Sequence, residues 1–275
     1  MKYSILASGS SGNCTYVETD HAKILIDAGL SGKQLEELAD EARINLKEIQ
    51  GIFITHEHSD HIKGAGILAR RYQVPVYANA KTWLAMEKQL GKLEDWQRIE
   101  TPLHDYVEIA DLRIENFPIS HDAACPVGYS LYCGNKKLSI ATDMGYVNTK
   151  TIDQLQGSHV LIMESNHDPQ MLRMSRYPWR VIQRILSDTG HLSNEDAGEA
   201  LGQIITTETK EVYLAHLSQD ANLHELAQLT VRNILGEQGL APDQAFQLLD
   251  AYPDRATPLR TLALSAEQLH HLPLG

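Results

Sequence analysis

Gly51-Ile52-Phe53-Ile54-Thr55-His56-Glu57-His58-Ser59-Asp60-His61 is the stretch on which the fold turns. It opens as an apolar run of strand type and then places His56, His58, Asp60 and His61 within six residues. A straight strand sends alternate side chains to opposite faces, whereas a strand end followed by a tight loop can aim several at one point. Imidazole and carboxylate together suit borderline divalent ions such as zinc or manganese. A solvated loop explains a random pair of histidines. Four ligand-type residues at H-x-H-x-D-H spacing, directly behind a buried strand, favour a metal site.

One loop cannot close two metal sites, so further ligands must come from distant strand ends. His121 follows Phe117-Pro118-Ile119-Ser120, Asp143 follows Leu138-Ser139-Ile140-Ala141-Thr142, and His216 follows Val212-Tyr213-Leu214-Ala215. Each ends an apolar run and is expected on the same rim.

The rest of the chain fits a layered α/β architecture. Apolar runs predict strands at 3–7, 23–27, 52–55, 74–78, 112–117, 129–133, 138–142, 159–163, 212–215 and 246–249. Helices are expected where Leu35, Leu38, Ala39 and Ala42 recur, behind Ser193 as N-cap, and from about Asn222 to Leu235. We place a catalytic domain at 1–250 and a loosely packed tail at 251–275, the latter carrying Pro253, Pro258 and Pro273. At 275 residues, 43% hydrophobic and 22% charged, the chain has ample core for one domain. A formal charge of −12 excludes a global basic field for nucleic acid, so an anionic substrate needs a local basic patch or bound cations. Cys14, Cys125 and Cys133 form no CxxC pair, which suits a reducing cytoplasm, and no run reaches membrane-spanning length. The residues leave oligomeric state open, a homo-oligomer included.

The order of these motifs resembles the metallo-β-lactamase superfamily: the His-x-His-x-Asp-His loop, a later His, Asp143 in Ala141-Thr142-Asp143-Met144-Gly145, and a final His after a strand. The turn Ser8-Gly9-Ser10-Ser11-Gly12-Asn13-Cys14 and Ile26-Asp27-Ala28-Gly29 resemble its first hairpin. The resemblance implies a four-layer αββα sandwich with two divalent metal ions at one edge. It assigns His56, His58 and His121 to one ion and Asp60, His61 and His216 to the other. Asp143 bridges them, and Asp27 supports a ligand from behind.

Asp143 stands where true metallo-β-lactamases carry Cys, which points away from antibiotic hydrolysis. Met163-Glu164-Ser165-Asn166-His167-Asp168 and Gly190-His191-Leu192-Ser193 resemble motifs of RNase Z-like phosphodiesterases. There the equivalent His protonates the leaving oxygen with the Glu behind it, so the resemblance makes His191 and Glu164 catalytic, with Asp60 beside them. His191 also precedes a helix N-terminus, where backbone amides favour an anion. Asn166, His167 and Ser193 are candidate substrate contacts. The tRNA-docking arm of RNase Z and the cap domain of β-CASP nucleases are both missing.

Between those motifs lies Arg173-Met174-Ser175-Arg176-Tyr177-Pro178-Trp179-Arg180-Val181-Ile182-Gln183-Arg184, basic and aromatic within an acidic chain. With Pro178 in a first helical turn, Arg180 and Arg184 share a face. Arg176, Arg180 and Arg184 are candidate phosphate contacts, and the aromatics can stack on bases. The full motif set resembles the bacterial YycJ/WalJ (VicX) family. That resemblance implies a 5′→3′ exonuclease acting on DNA, linked to mismatch repair and, in some bacteria, to cell-wall two-component regulation. Ser8, Ser10, Ser11 and Asn13 are candidates for a pocket at the 5′ end. The rival readings are a glyoxalase-type thioester hydrolase, a small-molecule or cyclic-nucleotide phosphodiesterase, and a non-catalytic scaffold.

Overall fold

The computed structural model describes residues 1–262. Its strands are β1 (Lys2–Ala7), β2 (Cys14–Glu18), β3 (Lys23–Ile26), β4 (Gly51–Phe53), β5 (Val76–Ala78), β6 (Arg98–Glu100), β7 (Tyr106–Ile109), β8 (Leu112–Pro118), β9 (Val127–Cys133), β10 (Lys136–Ala141), β11 (Val160–Glu164), β12 (Glu211–Ala215), β13 (Gln247–Asp250) and β14 (Arg260–Thr261). Its helices are α1 (Gly32–Glu41), α2 (Ser59–Ile62), α3 (Ala65–Tyr72), α4 (Ala80–Leu90), α5 (Thr149–Leu155), α6 (Pro169–Met174), α7 (Trp179–Ile185), α8 (Asn194–Ile204) and α9 (His224–Glu237).

The strands form two sheets, ordered β14-β1-β2-β3-β4-β5-β6 and β13-β12-β11-β10-β9-β8-β7. Each begins as antiparallel hairpins and continues as parallel strands joined through helices. Alternation along the strands sorts side chains between layers. On β3, Ile24 and Ile26 enter the core between the sheets, where Tyr3, Phe53, Tyr129 and Ile140 meet them. Leu25 points the other way, into a second core with Leu35, Leu68 and Trp83 from α1, α3 and α4. A third core sets Leu161, Met163 and Leu214 against α5, α8 and α9 through Leu155, Leu201 and Val231. The result is the expected αββα sandwich. Strands covered on both faces read as unbroken apolar runs, which is why the interior ones were visible in the sequence.

The stretch after Asp250 departs from expectation over its described part. Ala251 is buried, Tyr252 accepts from Ser8 N–H, and Thr257 exchanges backbone and side-chain hydrogen bonds with Ser4 and Ile5. β14 then pairs with β1 and completes the first sheet. Pairing partners upstream in the chain, rather than local pattern, hold this segment. Residues 263–275 of the expected tail lie outside the described residues. Among the described residues, no helix is long and apolar enough to cross a membrane.

Open α/β sheets bind ligands beyond the carboxyl ends of their parallel strands. Here that rule brings the ends of β3, β4, β10, β11 and β12 together on one rim.

Candidate metal centre

Three residues on this rim have backbone conformations that side chains other than glycine rarely adopt: Asp27 (φ 61°), Asp143 (φ 62°) and His216 (φ 56°). Each follows the end of a parallel strand; the side chains of Asp143 and His216 reach His61 and Asp60 in the first sheet's half, and Asp27 reaches Thr55 and His61 within that half. Such conformations cost free energy and persist where surrounding contacts enforce them. The contacts are present. Asp27 N–H donates to Phe53 O, and His216 N–H donates to Ser8 Oγ at 2.8 Å. Glycine lets the loops close in: a Cβ on Gly29 would fall 1.6 Å from Asp60 O, and one on Gly145 2.1 Å from Asp188 O.

His56, His58 and His121 bring one donor atom each within 4.8 Å of one another, and Asp60, His61 and His216 do the same. In the first group His58 Nδ1 lies 3.1 Å from His56 Nε2 and 3.3 Å from His121 Nε2. In the second, Asp60 Oδ2 lies 3.6 Å from both His61 Nε2 and His216 Nε2. Asp143 stands between the groups, with Oδ2 3.3 Å from His61 Nε2 and Oδ1 3.3 Å from His216 Nε2 and 3.8 Å from His121 Nε2. Asp143 Oδ2 and His216 Nε2 are buried and make no hydrogen bond of acceptable geometry. Divalent cations would satisfy both atoms, and the mixed imidazole and carboxylate donors suit them. The residues fit a metal centre.

The far nitrogens of the rings are held from behind, as ligating histidines usually are. His61 Nδ1 lies 2.8 Å from Asp27 Oδ2, and Thr55 Oγ1 lies 2.9 Å from Asp27 Oδ2, 3.0 Å from His56 Nδ1 and 3.1 Å from His61 Nδ1. His121 Nδ1 meets Gly190 O at 3.1 Å. His216 Nδ1 lies 3.2 Å from Glu164 Oε1. Thr55 is a positioning residue that sequence reading missed, and Asn13, expected at a 5′-end pocket, instead sets its Nδ2 3.2 Å from His61 Nε2. Thr55 carried only the signal of standing next to His56.

Charge distribution follows from this packing. Burial holds His56 and His121 below the usual imidazole range, leaving them neutral. Burial opposes charge on His216 as well, but the Asp143 carboxylate, with Asp60 and Glu164, outweighs it and lifts the ring to about 10. Burial would raise Glu164, yet His191 and His216 bring it down to about 2.

Glu164 is wholly buried and fully used. Its Oε1 accepts from His191 Nδ1 at 2.8 Å, and its Oε2 accepts the N–H groups of Met144 and Leu192 at 2.7 and 3.1 Å. The expected substrate contacts are placed less uniformly. Asn166 is buried and donates to His216 O at 2.8 Å. Ser193 caps α8 by accepting from Asp196 N–H. His167 is buried, with neither ring nitrogen partnered. Arg184 is engaged by Asp122 in a two-contact ion pair, 2.9 Å for one arm. Arg176 and Arg180 are exposed beside Trp179 and have no ion pair among the described residues. Ser8 and Asn13 are buried in internal bonds.

The chain matches the metallo-beta-lactamase superfamily model over residues 7–216. It is 48% identical over 260 residues to "Exodeoxyribonuclease YycJ" of Bacillus anthracis, covering 94% of this chain and 98% of that protein. This chain belongs to the metallo-beta-lactamase superfamily, in its YycJ/WalJ family. A second YycJ/WalJ relative, "Exodeoxyribonuclease WalJ" of Streptococcus pneumoniae serotype 2, is 46% identical over 94% of this chain and 97% of its own. The crystal structure of the metallo-beta-lactamase fold protein YhfI from Bacillus subtilis superposes with a TM-score of 0.70 at 14% identity, covering 93% of this chain and 98% of that one, a likeness of fold alone. The likeness to the YycJ/WalJ relatives runs over 94% of this chain, not merely the histidine loop.

Proposed function

We propose that this chain is a two-metal phosphodiesterase that degrades DNA from its ends as a 5′→3′ exonuclease. One observation carries the chemistry: the His191–Glu164 pair, 2.8 Å between Nδ1 and Oε1, beside the clustered ligands. A thioester hydrolase has no use for a buttressed proton donor there. The names of the YycJ and WalJ relatives support DNA as the substrate. The reading also fits a place in the cytoplasm, where DNA is, and a part in strand removal during repair.

His56, His58 and His121 would hold one ion, Asp60, His61 and His216 the other, and Asp143 both; zinc and manganese each suit these donors. Paired divalent cations supply a water nucleophile near neutral pH and neutralise charge gained on the phosphoryl oxygens. Asp143 sets the spacing between the two ligand groups. Glu164 accepts the Nδ1–H of His191 and fixes the orientation of the ring. His191 donates a proton to the departing sugar oxygen, an effect worth on the order of 10²–10⁴-fold. Arg176 and Arg180 bind flanking phosphates, and Trp179 offers a stacking face. Arg184 reaches a phosphate only by leaving Asp122, so its main role is to tie α7 to the loop that carries His121.

The test uses metal-stripped protein reloaded with Mn²⁺ or Zn²⁺ and DNA labelled separately at each end. Progressive release of mononucleotides from the 5′ end, lost in Asp143→Ala, is expected. Release from the 3′ end would overturn the polarity. Turnover of bis(p-nitrophenyl) phosphate without cleavage of DNA would move the substrate to small molecules.

A further inference from the structure

A cavity of about 290 Å³ is lined by His167, Gln170, Arg173, His191, Ser193 and Glu195 among others, and by none of the seven clustered ligands. We propose that it is the subsite for the 5′-terminal nucleotide, the unit that departs as a mononucleotide. The proposal rests on the phosphodiesterase reading above and adds where the leaving part of the DNA lies and how its end is recognised.

The bond changes determine which side the terminal unit occupies. A water oxygen bonds to phosphorus, the bond from phosphorus to the 3′-oxygen of the terminal unit breaks, and that oxygen takes the proton from His191. The unit bearing the oxygen must therefore lie against His191, on the side of this cavity. The phosphorus stays on the 5′-oxygen of the next unit. Every end after the first cut thus carries a 5′-phosphate, and a terminal subsite has to meet one.

The lining matches that demand. Arg173 is exposed and has no ion pair among the described residues, so its guanidinium is available to a phosphate. Gln170 and Glu195 offer donors and an acceptor to sugar and base. The Ser193 hydroxyl is taken by Asp196, so the capped start of α8 closes the cavity rather than binding a second phosphate. The Glu195 carboxylate further disfavours a second anion, which limits the occupant to a single nucleotide. His167 is an independent sign of a ligand. It is 1% exposed, lines the cavity, and leaves both ring nitrogens without a partner. Buried imidazole nitrogens ordinarily find partners, and a bound nucleotide would bring them.

The experiment uses the full metal-loaded chain and three probes: dAMP, deoxyadenosine and inorganic phosphate. Calorimetry should show dAMP binding at least roughly tenfold more tightly than either fragment, and Arg173→Ala weakening dAMP roughly tenfold while leaving deoxyadenosine unchanged. In single-turnover cleavage, the wild-type chain should make its first cut faster on a 5′-phosphorylated strand than on a 5′-hydroxyl strand, and Arg173→Ala should erase that difference. Equal affinity for dAMP and phosphate would overturn the nucleotide subsite, as would dAMP binding indifferent to Arg173→Ala. Wild-type turnover of bis(p-nitrophenyl) phosphate, measured in parallel, separates the two ideas. If it persists while the cavity tests fail, only the subsite falls; if it is absent, the phosphodiesterase reading falls and takes the subsite with it.

Discussion

Glu164 illustrates what a motif position conveys about a residue and what it leaves out. Its place before Ser165-Asn166-His167 suggested support for His191, and the structure puts it there, but the same Oε1 also reaches His216 Nδ1. On the proposed mechanism the shared oxygen would tie proton delivery to metal retention, and two variants should separate them. His191→Ala is expected to lower turnover about 10²–10⁴-fold with metal content intact. Glu164→Gln should lower turnover and also weaken metal retention by roughly 10–100-fold, since an uncharged amide offers one acceptor oxygen where the carboxylate uses two. Metal analysis after dialysis, alongside kinetics at saturating metal, reads both; undiminished retention in Glu164→Gln would refute the link. Away from the rim, Lys137 donates to Gln154 O and Gln156 O, and burial brings its ammonium down to about 8. Between that value and the ordinary 10.5 the unfolded chain keeps a proton that the folded chain has lost. Stability from this group therefore rises with pH across that window and is lost as pH falls through 8. The urea midpoint of the wild-type chain should gain on that of Lys137→Met between pH 8 and 10.5, and a constant difference would count against it.

Among the elements, legibility followed burial. Strands covered on both faces, such as β3, β11 and β12, were plain in the sequence as apolar runs. β6 and β7 were not, because Arg98, Glu100, Tyr106 and Glu108 face solvent on half-covered edges. β2 is buried but interleaves Thr15 and Glu18 with its apolar residues, which hides its period. The clustered His and Asp residues were legible because strand ends must face one rim, whereas the contacts of Thr55, Asn13 and Ser8 with them are tertiary and leave no trace in spacing. The same holds for the segment after Asp250, whose prolines suggested a loose tail. A chain ending at Asp250 loses the bonds from Tyr252 and Thr257 to Ser4, Ile5 and Ser8. At about 1 kcal/mol per bond, about 4 kcal/mol of stability should go with them. Urea denaturation of the shortened chain measures this directly, and an unshifted midpoint would mean that the segment only rests on the sheet.

At the scale of the whole molecule, charge and architecture pull in different directions. A net charge of −12 opposes DNA, against which Arg173, Arg176 and Arg180 stand exposed beside the rim's ligand cluster and carry no ion pair among the described residues. DNA binding should therefore be weak and few-contact, with the slope of log K against log salt flattening by about 1 for each of Arg176→Ala and Arg180→Ala. Filter-binding titrations at several salt concentrations give the slope, and an unchanged slope in both variants would place the phosphate contacts elsewhere. The two sheets have a further relation at the rim. His56, His58, Asp60 and His61 belong to the first sheet's half of the chain, and His121, Asp143 and His216 to the second's. Each ligand group draws on both halves. A cation seated in either group is then a cross-link, joining residues 63 or more positions apart in the way a disulfide would, but one that a chelator can undo. Stripping the metal should unfasten the sandwich at that end first, so that the rim gains hydrogen exchange while the opposite end keeps its protection.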